Sequence, residues 1–222
     1  MGDRMLAMQN VSFSYDRKEK TDILQNVSVT FERGKMYVLY GKSGSGKTTM
    51  LKLLSGLLQP AEGKIIYDGK KIENMGATYR NENVSIIFQD YCLLPYMTAI
   101  ENVQLALGIQ KKKISDNEVI KYLNRFGISE KESRRKTAKL SGGQQQRVAI
   151  IRALMMQTEY ILADEPTSNL DEDNENEIIA FLKALAHEQN KGIIVASHSK
   201  EMYDAADICF RVRKGNVLEE TL

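Results

Sequence analysis

Two stretches near the N-terminus alternate apolar and polar residues. Residues 5–15 read MLAMQNVSFSY, and residues 22–32 read DILQNVSVTFE. Successive side chains of a β-strand point to opposite faces, so this pattern predicts two antiparallel strands with one buried face and one solvated face. A third stretch, KIIYDGKKI at residues 64–72, predicts a hairpin that turns at Asp68 and Gly69.

Four other stretches are apolar at nearly every position, which is typical of parallel strands covered on both faces. They lie at residues 36–40, 84–88, 160–164 and 192–197. Helical periodicity marks other segments, at residues 46–57, 116–126, 142–156, 173–188 and 199–206. Strands that alternate with helices predict an α/β fold with a mostly parallel sheet, and an active site beyond the carboxyl ends of its strands. Two final strands are predicted to close the sheet around a turn at Gly215 and Asn216.

Residues 90–139 contain helical and loop patterns without a convincing strand. We therefore expect a helical subdomain that is inserted into the α/β core. The alternating strands, at about residues 1–33 and 61–76, are expected to form an antiparallel β subdomain. A chain of 222 residues is long enough for one domain with a proper core, so we expect a single domain over residues 1–222.

The composition excludes several classes of protein. Hydrophobic residues make up 42% of the chain and charged residues 27%, which is ordinary usage for a folded domain. The net charge of +2 shows no basic excess, so we expect no nucleic-acid partner. Cys92 and Cys209 match no zinc or disulfide pattern, which suits a reducing cytoplasm. No stretch approaches the roughly 18 apolar residues of a membrane span, so any membrane role requires another chain.

The clearest chemical signal is GKSGSGKT, which begins at Gly41. It satisfies the pattern G-x-x-x-x-G-K-[S/T] between a predicted buried strand and a predicted helix, the context that this motif requires. Gly41, Gly44 and Gly46 allow backbone N–H groups to curl around a phosphate at the positive end of the helix dipole. Lys47 can neutralise β- and γ-phosphate oxygens, and the Thr48 hydroxyl can bind Mg²⁺. The sequence therefore predicts a nucleoside triphosphate site.

A pair of acids follows the apolar run YILA at residues 160–163. Asp164 and Glu165 are expected where a buried strand emerges beside the phosphate loop. There Asp164 can hold Mg²⁺, through water, and Glu165 can polarise an attacking water. A purely structural acid pair at a strand end is the alternative.

A second glycine-rich helix start, LSGGQ, occupies residues 140–144. Taken alone it is a helix N-cap at Ser141, and the same free N–H groups also suit an anion. With GKSGSGKT, LSGGQ and ILADEPTSNLD in this order, the chain resembles the ATP-binding subunit of ABC transporters over nearly its whole length. The signature LSGGQ separates this family from other phosphate-loop proteins.

The resemblance implies roles for further residues. Tyr15 is similar to the aromatic residue that stacks on adenine, and Gln89 to the glutamine that reaches Mg²⁺ and the γ-phosphate. His198 resembles the switch histidine, and Asp171 the aspartate that communicates between subunits. In the family two subunits meet head to tail, so that the signature of one caps the γ-phosphate bound by the loop of the other. Residues 141–144 would then belong to the partner's site.

The predicted site thus has three groups of residues. The catalytic group is Glu165, His198 and Lys47. The ligands of Mg²⁺ are Thr48, Gln89 and Asp164. The residues predicted to bind ATP are Tyr15, Gly41, Lys42, Ser43, Gly44, Ser45, Gly46, Lys47, Thr48, Thr49, Gln89, Ser141, Gly142, Gly143 and Gln144.

Three positions depart from the common family pattern. Lys42 stands where proline is common, Thr48 where serine is common and Asn169 where alanine is usual. Thr48 preserves the hydroxyl, and Lys42 adds positive charge near the phosphates. Asn169 puts in question the close packing of the loop before Asp171.

The resemblance implies an ATPase subunit that dimerises on ATP and drives a separate integral membrane permease from the inner, cytoplasmic face of the cell membrane. FQDYCLLPYMTAIENV, which begins at Phe88, is most similar to the branch that serves macrolide exporters, lipoprotein-release complexes and antimicrobial-peptide exporters. We therefore expect export or extraction of a peptide, a lipid-linked molecule or a drug-like amphiphile. Two alternatives stay open: a non-transport ABC ATPase of the cell-division, signalling or cluster-assembly type, and a module that binds ATP without hydrolysing it.

Overall fold

Two β-sheets of different character organise the chain, of which the computed structural model describes residues 5–16, 22–168 and 170–220. In chain order the strands are β1 (Leu6–Phe13), β2 (Leu24–Phe31), β3 (Met36–Tyr40), β4 (Glu62–Tyr67), β5 (Lys70–Lys71), β6 (Val84–Ile87), β7 (Tyr160–Asp164), β8 (Gly192–Ser197), β9 (Ile208–Arg213) and β10 (Asn216–Glu220). The α-helices are α1 (Lys47–Leu54), α2 (Ala99–Ile109), α3 (Asp116–Arg125), α4 (Glu130–Ser133), α5 (Gly142–Met155), α6 (Glu172–Gln189) and α7 (Lys200–Ala205).

The smaller sheet is antiparallel and has the strand order β2-β1-β4-β5. Its two N-terminal strands pair with each other, as their alternating pattern predicts. The hairpin from β4 to β5 turns at Asp68 and Gly69, where φ is 50° and 74°. Two successive left-handed residues form a turn that matches the twist of paired strands, so the predicted turn is confirmed.

The larger sheet has the order β10-β9-β3-β8-β7-β6 and is parallel from β9 to β6. All four predicted buried strands lie in it. The predicted turn before β10 is wrong by one residue: Arg213 pairs with Asn216, so Lys214 and Gly215 form the turn. Both have positive φ, 49° and 80°, because this tight turn places its glycine second. The two final strands lie at one edge of this sheet, as predicted, but the sequence did not indicate that β9 pairs in parallel with β3.

The core lies on both faces of the parallel sheet. In β3, Tyr37 and Leu39 pack against α1 and the antiparallel sheet, whereas Met36 and Val38 pack against helices on the other side. This alternation explains why the strand is apolar at every position. It also fixes the end of β3 and the start of α1 at one edge of the sheet, where the phosphate loop lies.

Helices occupy the segment between β6 and α5, in agreement with the predicted inserted helical region; the proposed subdomain boundaries stay a prediction. Capping boxes, in which an N-cap side chain and a glutamate exchange hydrogen bonds with each other's backbone, begin α2, α3 and α4. Helix α1 ends at Leu54, three residues before the predicted end, because Gly56 adopts a left-handed φ of 71°. Within the described ranges, no helix has the length and apolar character needed to cross a membrane.

Candidate nucleotide site

The phosphate loop joins β3 to α1, and its glycines are required by the fold itself. A Cβ atom on Gly41 would lie 2.4 Å from the carbonyl oxygen of Val212. Gly46 has a φ of 110°, which other residues rarely adopt. The loop closes on itself through a hydrogen bond from the Ser45 N–H to the Lys42 carbonyl, at 3.2 Å. Contacts within the chain therefore hold the loop in its shape.

The start of α1 is open to an anion. Each of the other described α-helices begins with a side chain that accepts a hydrogen bond from its first turn, but α1 has no such cap and no acid in that turn. Its first N–H groups and its positive dipole end are thus left for a ligand. The Ser45 hydroxyl oxygen is buried and has no hydrogen-bond partner in the described part of the chain. These features fit the phosphates of a nucleotide.

Lys47 brings its positive charge into this loop from the first position of α1. Its side chain is only 7% exposed, and Nζ donates to the carbonyl oxygens of Gly41 at 2.7 Å and Lys42 at 3.3 Å. The nearest carboxylate oxygen recorded is Oε1 of Glu165, at 3.9 Å. The ammonium group is therefore held in place mainly by neutral carbonyl groups.

Two carboxylates lie where β7 ends next to the loop, Asp164 as the last residue of the strand and Glu165 directly after it. Asp164, 7% exposed, accepts a hydrogen bond from the Thr48 hydroxyl at 3.0 Å. Burial raises the pKa of Asp164, and the Thr48 bond opposes that rise. Glu165 has a left-handed φ of 48°, and both of its carboxylate oxygens lie 3.0 Å from Nδ1 of His198. Aspartate and threonine oxygens at this spacing suit a hard divalent cation such as Mg²⁺.

A cleft of about 570 Å³ brings most of the predicted residues together. Its lining comprises Tyr15, Ile23, Lys42, Ser43, Gly44, Ser45, Gly46, Lys47, Thr48, Thr49, Gln89, Glu165, Ser168 and His198. Gly41 and Asp164 lie directly behind this lining, through their bonds to Lys47 and Thr48. Sequence reasoning missed Ile23 and Ser168, which carry no motif of their own.

Tyr15 lies at the open side of the cleft. Its ring is 62% exposed and meets Phe13 edge to face, with 5.0 Å between the ring centroids. Its hydroxyl lies 3.3 Å from the Thr49 hydroxyl. An aromatic face that is largely exposed at the mouth of a phosphate site is suited to stack on a base.

Residues 141–144 do not line the cleft of their own chain. They begin α5, where the Ser141 hydroxyl accepts from the Gln144 N–H at 3.3 Å and the Gln144 Oε1 accepts from the Ser141 N–H at 2.9 Å. The helix start is therefore closed by a capping box. Asp171 caps α6 by accepting from the Asn174 N–H at 3.0 Å, and Asn169 lies outside the described residues.

Arg152 makes a contact that the sequence did not predict. From α5 its guanidinium donates to the carbonyl oxygens of Tyr91, at 2.8 Å, and Cys92, at 2.5 Å. Those two residues have positive φ, 60° and 45°, and lie two and three positions after Gln89. The contact joins residues about sixty positions apart, so no local pattern could indicate it.

An uncapped helix start, a buried lysine and an acid pair at the end of a parallel strand define a phosphate-loop nucleotide-binding domain. The sequence profile described as ABC transporter matches residues 24–168. YclH of Bacillus subtilis, an uncharacterized ABC transporter ATP-binding protein, is 44% identical over 215 residues, 96% of this chain and 95% of the relative. The lipoprotein-releasing system ATP-binding protein LolD 2 of Rhodopirellula baltica is 36% identical, over 95% of this chain and 88% of the relative.

Solved structures agree with these relatives. The bacterial ABC transporter cassette MJ0796 matches with a TM-score of 0.89 and 32% identity over 98% of both chains. It has been solved as a dimer and in a post-hydrolysis state bound to ADP and Pi. The chain belongs to the ABC transporter family and is one of its ATP-binding ATPases. The predicted family and α/β cassette fold are confirmed; the roles of the individual site residues stay predictions.

Proposed function

We propose that this ATPase closes on two ATP molecules as a head-to-tail dimer of identical subunits and drives a separate integral membrane permease. One observation carries the proposal: the glycine-rich start of α5 lies outside the cleft of its own chain. A Cβ atom on Gly142 would meet nothing closer than the Tyr91 hydroxyl, at 3.7 Å. The fold of the single chain does not require glycine there, so we assign the space to the nucleotide of a second subunit.

The subunit's own residues supply one half of each ATP site. The loop from Gly41 to Thr49 wraps the phosphates, Lys47 neutralises the β and γ oxygens, and Tyr15 stacks on adenine. The side of the γ-phosphate that faces away from the subunit then still lacks hydrogen-bond donors. In the dimer the N–H groups at the start of the partner's α5 complete that end.

Hydrolysis requires a base beside the γ-phosphate. Glu165 polarises the attacking water, and His198 holds the Glu165 carboxylate through the 3.0 Å contact to Nδ1. Thr48, Asp164 and Gln89 would hold Mg²⁺, which supplies positive charge to the phosphate oxygens. Loss of the γ-phosphate removes the ligand of the partner's helix start, so the two subunits separate after hydrolysis.

A groove next to Phe88 supports the proposal that the chain binds a permease. It has a volume of about 380 Å³, and its lining includes Phe88, Leu94, Leu105, Ile109 and Arg152. Leu94, Leu105 and Ile109 are 45%, 46% and 56% exposed. Exposed leucine and isoleucine side chains around a groove suit a short amphipathic helix from a membrane partner.

The branch of the family supports a proposal for the class of cargo. The motif that begins at Phe88 and the similarity to LolD 2 support export or extraction of a lipid-linked molecule, a peptide or a drug-like amphiphile. The ATPase then lies on the cytoplasmic face of the cell membrane, held there by its permease. Gentle detergent extraction should co-purify an integral membrane protein with the chain. Extraction of the chain with soluble partners only would favour a non-transport role in cell division, signalling or cluster assembly.

Glu165→Gln tests the dimer. We expect ATP turnover to fall by at least about two orders of magnitude, the effect of losing a proton-transfer group. The variant should be a stable dimer with MgATP and a monomer with ADP in analytical ultracentrifugation. Glu62→Gln, on an exposed strand position, is the matched control and should behave as the parent. A Glu165→Gln variant that stays monomeric at saturating MgATP would disprove the dimer.

A further inference from the structure

Glu132 connects the short helix α4 to the signature turn, the segment of residues 140–144. Its Oε1 accepts a hydrogen bond from Nε2 of Gln144 at 2.7 Å. Its Oε2 accepts from the N–H of Ser129 at 2.8 Å and from the Ser129 hydroxyl at 2.6 Å. Two capping boxes, one at α4 and one at α5, are thus joined in series through this one carboxylate.

This contact fixes the orientation of the Gln144 amide. The amide has a donor end and an acceptor end, and only one orientation places its oxygen on the Ser141 N–H. With an ionised carboxylate on the donor end, the opposite orientation would bring two oxygens together and is excluded. The hydrogen bonds from Ser129 lower the pKa of Glu132, so the side chain stays ionised at neutral pH.

A fixed Gln144 amide decides which N–H groups of α5 remain available. The closed capping box satisfies the N–H groups of Ser141 and Gln144. Gly142 and Gly143 occupy the first two positions of the helix, where an N–H has no intrahelical partner. The turn therefore presents two adjacent donors, and the capping box holds its shape.

We propose that Glu132 is a positioning residue for the signature turn: it holds the Gln144 amide so that Gly142 and Gly143 meet the partner's nucleotide preformed. The inference rests on the proposed head-to-tail dimer and adds a residue to it. Glu132 acts through Gln144 and needs no contact with ATP. Its removal should weaken closure of the dimer and leave the cleft of its own chain unchanged.

The test uses the Glu165→Gln parent and compares Glu132→Ala, Glu132→Gln and Ser129→Ala. We measure the dissociation constant of the MgATP-driven dimer by analytical ultracentrifugation. Glu132→Ala should raise it about tenfold, as expected for loss of a hydrogen bond to a charged group. Glu132→Gln presents an NH2 group as well as an oxygen, so it no longer excludes the opposite orientation of the Gln144 amide and should give a constant between those of the parent and Glu132→Ala. Binding of a fluorescent ATP analogue to the monomer should be the same in all variants.

Ser129→Ala distinguishes an effect of Glu132 on the Gln144 amide from an effect on the stability of α4. It removes the N-cap of that helix but leaves Glu132 its bond to Gln144. Its dimer should remain within about threefold of the parent, since the backbone N–H of residue 129 still holds the Glu132 carboxylate and the lost hydroxyl does not contact Gln144. Equal weakening by Ser129→Ala and Glu132→Ala would show an effect of helix stability and overturn the assignment.

Amide hydrogen exchange in the monomer measures how well the signature turn is held closed. The Ser141 N–H should be protected in the parent, exchange faster in Glu132→Ala, and exchange at a rate between the two in Glu132→Gln. A parent that never dimerises would overturn the proposed dimer, and the role of Glu132 with it. A parent that dimerises while Glu132→Ala dimerises as tightly, with unchanged exchange at Ser141, would overturn the role of Glu132 alone.

Discussion

The starts of α1 and α5 both carry glycines and both resemble phosphate-binding helix ends, yet the structure builds them differently. The start of α1 has no side-chain cap and lies in a cleft lined by other side chains of the same chain. The start of α5 is closed by Ser141 and Gln144 and lies outside that cleft. The first lies in the cleft that we propose binds the chain's own ATP, and the second lies on the surface that we propose faces the ATP of a second subunit.

The glycines show the same difference. A side chain at Gly41 would collide with a backbone carbonyl at 2.4 Å, and Gly46 needs a positive φ. At Gly142 a side chain would have room and an ordinary helical backbone. The fold thus requires glycine in the first region but not in the second, where we propose that a neighbouring subunit requires it.

The sharpest way to break this comparison is Gly142→Ala. The added methyl group should weaken the MgATP-driven dimer at least about 100-fold, and lower turnover accordingly, because it occupies the approach of the γ-phosphate. The melting temperature and the monomer's affinity for ATP should not fall, since alanine favours helix more than glycine does. Sedimentation, turnover and thermal melts check the three expectations.

Gly108→Ala is the matched control. Gly108 lies in α2, where an added Cβ meets nothing within 4 Å. We expect normal dimerisation and turnover from it. A Gly142→Ala variant that dimerises like this control would show that the start of α5 contacts no nucleotide.

Tyr15→Ala tests the other region, the cleft at the start of α1. Loss of base stacking should weaken ATP binding to the monomer about tenfold. Turnover at saturating ATP should be unchanged, because stacking acts equally on bound substrate and transition state. Tyr15→Phe should bind within about twofold of the parent, since the 3.3 Å hydroxyl contact is weak. Titration with a fluorescent ATP analogue checks the affinities, and unchanged binding in Tyr15→Ala would contradict the stacking role.

Asp164→Asn gives the smallest expected effect. Burial raises the pKa of Asp164 above its ordinary value of 3.8, so the folded state binds this proton more tightly than the unfolded state. Its contribution to stability therefore decreases as the pH rises through the folded pKa. Without nucleotide, Asp164→Asn should melt on the order of 2 °C higher at pH 7, and this advantage should vanish below about pH 4. An equal shift at every pH would contradict this explanation.

Local patterns predicted much of this molecule because its main signals are local. The apolar run before Gly41 and the acids at the end of β7 each needed only a few neighbouring residues to be interpreted. The turn at Lys214 depended on strand pairing, and the parallel pairing of β9 with β3 on tertiary contacts. The contacts of Arg152 and Glu132 join distant residues or depend on the orientation of one amide. Such information is absent from sequence periodicity.

Arg152 gives α5 a mechanical consequence. The helix has fourteen residues and is about 21 Å long. One end bears the glycines that we propose face a partner's ATP. Arg152, near the other end, donates to the carbonyls of Tyr91 and Cys92 beside the apolar groove. We expect a stiff rod held in this way to work as a lever, so that a push on the groove from the membrane side tilts the nucleotide-facing tip.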